Sequence, residues 1–211
     1  MAAVVGVAET DDAQGWSEAL ARGVQAAGTI GAVPSLHVVT PGESPLPAAD
    51  ETAVRRLADP WGSDPLSIGV ARQLHGYLTG NAAELVQQVT DALEPDTCVL
   101  VGHGFGSVVA FDVLRRARPS GIRALVTIGS PLGLAGVLRA LNVPEPLTPP
   151  GDVRWTNVLD PGDVRTGGEG LADLGPGITD EYVDNGAAPA AAEAYLAQGV
   201  AARAILSAIS G

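Results

Sequence analysis

The sequence predicts a three-layer α/β fold with a mainly parallel central sheet flanked by helices, and three observations carry that expectation. Short continuous apolar runs bounded by turn residues recur along the chain and read as buried strands. Longer stretches with apolar residues at 3.6-residue spacing separate them and read as helices. One run, Cys98-Val99-Leu100-Val101, leads straight into the glycine-rich turn Gly102-His103-Gly104-Phe105-Gly106, and a helical pattern follows at once. Strands alternating with helices build βαβ units, which require a parallel sheet covered on both faces.

The elements follow in order. Strands are expected over 2–7 (AAVVGV), 35–39 (SLHVV), 98–101 (CVLV), 124–128 (ALVTI) and 153–158 (VRWTNV). Helices are expected over 16–26, 66–78, 82–93, 107–115, 132–141 and 190–209. Between the second strand and the second helix lies 41–65, PGESPLPAADETAVRRLADPWGSDP, with five prolines. Prolines at that density prevent a central strand or a long helix, so the stretch reads as a solvated connection or a lid, with Trp61 weighing for the lid. A second irregular stretch over 160–186 follows the last expected strand and belongs at the carboxyl edge of the sheet, where open α/β folds place ligands.

Bulk properties narrow the function classes. At 211 residues and 46% hydrophobic composition the chain has material for one domain with a substantial core, spanning 1–211. Twelve Lys and Arg against 24 Asp and Glu give a net charge of −12, which repels phosphate backbones and argues against nucleic acid as a partner. Cys98 is the only cysteine, so no intramolecular disulfide forms, and a reducing cytoplasm fits. The start MAAVVGVAETDDAQGW has no basic leader, and nothing reaches the roughly 18 apolar residues of a membrane span. The expectation is a cytoplasmic protein without a membrane span or a cofactor.

The turn at Gly104 carries the chemistry. Gly102-His103-Gly104-Phe105-Gly106 matches the nucleophile elbow G-x-S-x-G with glycine where the serine belongs. The central residue of an elbow takes a strained backbone conformation that glycine visits cheaply, and the flanking glycines let strand and helix approach closely. Glycine suits the turn but removes the hydroxyl, so acyl-enzyme chemistry is impossible there. A dinucleotide fingerprint would need a third glycine where Ser107 stands, with an acidic residue near Gly129, and a phosphate loop would need a lysine after its glycine. Neither pattern is met, and a tight strand-to-helix turn without a ligand is the plain structural alternative.

Four segments, VLVGHGFGSVVAFDVL, ALVTIGSPLGL, RWTNVLDPGDV and VDNGAAPAAAEAYL, resemble a bacterial α/β-hydrolase of the lipase and esterase type, in the order that family uses. The resemblance covers most of the chain from residue 97 onward. It implies an α/β-hydrolase-like fold, with the family's acid at Asp163 and Asp160 beside it. The family's histidine falls on or near Ala190, and no histidine exists beyond His103. The oxyanion loop usually begins His-Gly, whereas Val5 and Gly6 lead here into an acidic stretch. His37, His75 and His103 read as structural histidines, and Ser107 is expected to cap the following helix. A triad cannot be assembled from these residues.

Carboxylates remain as candidates. Glu9, Asp11 and Asp12 follow the first strand and Asp160 and Asp163 follow the last, so in this fold both groups rim one cleft. The first expectation is a catalytically degenerate member, a pseudohydrolase that binds a small molecule or a protein partner at the cleft around Gly6, Gly102, His103, Gly104 and Phe105. The alternative is an isomerase, cyclase or lyase that uses Asp163, Glu9 or Asp160 as general acid or base, crowded carboxylates being able to raise one another's pKa. A solvated acidic rim is the bland reading of the same residues.

Overall fold

The computed structural model describes residues 3–8, 13–27, 35–39 and 50–210. Six strands form one parallel sheet: β1 (Ala3–Ala8), β2 (Ser35–Val39), β3 (Thr97–His103), β4 (Ala124–Ile128), β5 (Arg154–Leu159) and β6 (Ile178–Tyr182), in the order β2-β1-β3-β4-β5-β6. All five pairings are parallel. The strand order reverses between β1 and β3, so the carboxyl ends of those strands flank the crevice where such sheets hold ligands.

Alternation along the strands sorts the core into two layers. Val5, Leu100, Leu125 and Trp155 face α3 (Pro65–Gly76), α4 (Ala82–Asp91) and α5 (Gly106–Arg116). Val4, Val99, Val101, Val126 and Val158 face α1 (Ala13–Ala27), α7 (Ala192–Ala197) and α8 (Val200–Ser210). Helices on both faces of a parallel sheet are the three-layer α/β arrangement read from the sequence. Gly6 is small for a packing reason: a Cβ there would come within 2.5 Å of Cζ3 of Trp16, whose ring lies over β1. Among the described residues no helix is long and apolar enough to cross a membrane.

Four expectations are corrected. The sixth strand, β6, lies inside the stretch read as irregular; only Ile178 of its five residues is buried, so no apolar run announces it. The helix expected over 132–141 shrinks to a 3₁₀ turn at Pro131–Gly133 and the four-residue α6 (Val137–Ala140), because Gly136 takes φ +87° between them. The helix expected over 190–209 divides into α7 and α8 at Gly199, φ +69°. The proline-rich stretch holds an eight-residue helix, α2 (Glu51–Ala58), in the gap between Pro47 and Pro60, with Asp50 accepting from the Thr52 and Ala53 amides as N-cap. Its downstream Trp61 donates from Nε1 to the Ala135 carbonyl at 2.9 Å, tying this segment to the loop before α6. Residues 41–49 lie outside the described residues.

A polar ladder fastens the sheet's far edge. Trp155 Nε1 donates to Thr127 Oγ1, Thr127 to Asn157 Oδ1, and Asn157 Nδ2 to Asp180 Oδ1, at 2.9, 2.8 and 2.8 Å. Asp180 then accepts the Leu171 and Ala172 amides. Each buried polar group hands its hydrogen bond to the next, so three strands and the 160–177 connection are held in one register.

The contact between β3 and α5 sets the geometry of the turn. A Cβ on Gly102 would come within 2.8 Å of the Ser107 backbone nitrogen, so the helix touches the strand backbone directly. Gly102→Ala must push α5 off the sheet, and we expect a loss of about 2 kcal/mol or more, with a melting midpoint lower by about 4–8 °C. A midpoint within about 1 °C of the parent would mean that the helix is free to move away.

Candidate functional site

The site is built at the carboxyl ends of β3, β4 and β5. Gly104 closes β3 with φ +53°, the left-handed region in which an L side chain is strained. Its amide donates to the Ile128 carbonyl at 2.9 Å, and its carbonyl accepts the Ser107 amide at 3.1 Å, so the turn is fixed on both sides. Phe105 is the N-cap residue of α5 and packs its ring edge-on to Tyr77 at 5.7 Å. The turn is therefore a tight strand-to-helix junction with a left-handed glycine at its apex and no side-chain hydroxyl there.

Ser107 is not the cap it was expected to be. It is the second residue of α5, wholly buried, and its hydroxyl donates to the Gly104 carbonyl at 2.6 Å. It also shares a 2.7 Å hydrogen bond with the Ser130 hydroxyl, whose oxygen accepts the Leu132 amide. The two hydroxyls lock the back of the β3 turn to the β4 turn. Their protons are committed there, which leaves neither serine poised for attack.

Asp163 lies in the turn after β5 and is fully buried. Its Oδ1 accepts from Arg165 Nε at 3.0 Å and Oδ2 from Arg165 Nη2 at 2.9 Å, a bidentate pair. Oδ1 also accepts the Arg165 amide at 3.1 Å, and Oδ2 the Tyr195 hydroxyl at 3.0 Å. Arg165 donates further to the Ala190 carbonyl. Ala190 is the position where the resemblance placed a base; here it supplies a backbone oxygen to a guanidinium. The Asp163, Arg165 and Tyr195 side chains sit over Gly129, where a Cβ would come within 2.9 Å of Asp163 Oδ2.

Asp160, also buried, is engaged differently. Oδ1 accepts the Gly162 amide at 2.7 Å and Oδ2 the Asn185 amide at 2.6 Å, while the Asp160 amide donates to the Tyr195 hydroxyl at 2.9 Å. Tyr195 thus bridges both aspartates, and its own pKa is pushed up by burial and by the Asp163 charge beside it. Glu9, Asp11 and Asp12 lie outside the described residues, and the structure brings only Asp160 and Asp163 together. Arg165 and Tyr195 were not singled out in the sequence. A cation two residues after the expected acid was the available signal for Arg165; for Tyr195 there was none.

His103 is 3% exposed, and its ring stands edge-on to Tyr195 at 6.5 Å. Among the described residues neither ring nitrogen has a hydrogen-bond partner. Burial, and secondly the Arg165 charge, lower its pKa to about 3, so it is neutral at physiological pH. Among the described residues no group of three or more His, Cys, Asp or Glu is placed to hold a metal ion.

The sign of the His103 linkage is fixed by that shift. Its folded pKa lies below the unfolded value near 6.5, so the unfolded chain takes up the proton first. The contribution is complete above about pH 6.5 and is lost toward pH 3 at about 1.4 kcal/mol per unit. Urea midpoints measured from pH 7.5 to 4.5 should fall in the parent and fall less in His103→Gln. Equal slopes in the two proteins would show that the imidazole is not held neutral by its surroundings.

What the arrangement can do chemically is limited by what its groups already bind. Apex, acid and hydroxyls are present as backbone, ion pair and structural hydrogen bonds, and the reading rests on that geometry: no protein-family model matches the chain, and no curated protein matches it.

Proposed function

We propose that the chain is a non-hydrolytic protein of α/β-hydrolase type, a pseudohydrolase that binds a small molecule or a protein partner at the cleft above the Gly104 turn. One observation carries this reading: the Arg165 guanidinium is paired with Asp163 and bonded to the Ala190 carbonyl, where an activated hydrolase would need a histidine. A guanidinium stays protonated at any physiological pH and cannot accept a proton from a nucleophile. Gly104, with its positive φ and without a hydroxyl, supports the same conclusion from the nucleophile's side. The order of the parts along the chain, elbow after β3 and acid after β5, is the Ser…Asp…His order of the hydrolase triad with two members replaced.

Carboxylate acid–base catalysis draws less support from these residues. Asp163 and Asp160 direct their oxygens at Arg165, Tyr195 and backbone amides rather than toward open space. Binding, not acid–base catalysis, is therefore the role proposed for this edge of the sheet.

We expect no hydrolysis of p-nitrophenyl esters above the buffer rate and no labelling by fluorophosphonates, because nothing at Gly104 can be acylated. Gly104→Ser should stay inactive, since Arg165 offers no base. Native mass spectrometry of the purified protein should show a non-covalently retained small molecule or a co-purifying protein. Stoichiometric fluorophosphonate labelling of any serine, or ester turnover restored by Gly104→Ser alone, overturns the reading.

A further inference from the structure

A second site stands at the opposite edge of the sheet. A cavity of about 560 Å³ opens between the end of α5 with the loop into β4 and the loop that precedes β5. That volume lies within the range of small-molecule pockets, and its place at the amino ends of β4 and β5 separates it from the Gly104 turn. Pro119, Pro144, Pro149 and Pro150 line it, giving walls with few backbone conformations to lose on binding.

The backbone marks the same place. Among the described residues only two that are not glycine have positive φ, Arg118 at +47° and Asn142 at +55°. Arg118 lines the cavity, and Asn142 immediately precedes Val143, which lines it too. Asparagine tolerates this conformation, whereas arginine is strained there, in a position past a helix end that usually carries glycine. Strain of this kind persists where surrounding structure or function requires that side chain. The Arg118 guanidinium forms no hydrogen bond or ion pair with any described residue. The neighbouring Arg115, by contrast, is committed to Asp112 and to the Leu141 and Asn142 carbonyls, so it braces the two walls against each other.

We propose that this cavity binds a small carboxylate carried on an apolar body, with Arg118 as the group that recognises the charge. Apolar walls from Leu114, Ile122 and Val143 accept the body, and a planar guanidinium suits a carboxylate bidentately. Asp152, also on the lining and without a partner among the described residues, repels any anion near it, so the ligand carries a single carboxylate seated at Arg118, away from Asp152. The proposal is independent of the reading given to the Gly104 turn.

The test compares benzoate with benzamide, isosteric but uncharged, by amide chemical shifts of the full chain. Benzoate should saturate with shifts centred on Gly121, Thr148 and Val153, and benzamide should bind about tenfold more weakly or worse. Arg118→Asn and Arg118→Gly suit the left-handed backbone, so both should fold, with a melting midpoint equal to or above the parent's, and both should lose about tenfold or more in benzoate affinity. Arg118→Lys should retain part of it. Absence of saturable binding, equal affinity for benzoate and benzamide, or benzoate affinity unchanged in Arg118→Asn overturns the proposal. Shifts centred on the Gly104 turn would do the same, by placing the ligand at the other edge.

Discussion

The carboxyl edge of this sheet depends on one buried ion pair. Asp163 and Arg165 are two residues apart, yet through Tyr195 and the Ala190 carbonyl they connect the turn after β5 to the segment entering α7, directly over the β4 turn. An ion pair taken out of water repays its desolvation only when the remaining lone pairs and protons are also satisfied, and breaking one half of such a pair typically costs about 3–5 kcal/mol. Here the bidentate geometry, the Tyr195 hydroxyl and the backbone partners meet that condition. Burial keeps His103 neutral, and the fixed guanidinium of the same centre adds to that effect.

A similar arrangement recurs on the other face of α5. Asp112, wholly buried, accepts from Tyr77 at 2.7 Å and pairs with Arg115 and Arg116. Tyr77 opens the π-helical turn Tyr77–Asn81 between α3 and α4 and donates its hydroxyl proton to that carboxylate. The helix that starts at the Gly104 turn is thus held at its head by backbone contact with β3 and near its foot by a shared carboxylate. Its position relative to the sheet is determined twice over.

Five of the six strands were legible because burial on both sheet faces writes itself as continuous apolar sequence, as in Cys98-Val99-Leu100-Val101. β6 was not, because an edge strand whose outer residues meet water needs no such run; Thr179, Glu181 and Tyr182 are exposed. Glycine placed the tight turn between β3 and α5 through its local backbone demand, and the same residue type was overlooked at Gly136 and Gly199, where it interrupts stretches that periodicity alone would read as continuous helix. The place of Asp163 in the turn after β5 could be read from the apolar run that precedes it. Its partner could not, since whether Arg165 turns inward or outward depends on the cavity that Ala190 and Gly129 leave for it.

Gly104 makes the apex of its turn resistant to change. A serine held at φ +53° carries about 1–2 kcal/mol of backbone strain that glycine does not. Any other residue there gives that stability up, and a serine hydroxyl would meet no base, because Arg165 already fills the space beside Asp163. Stability alone therefore favours glycine at this position against each single substitution.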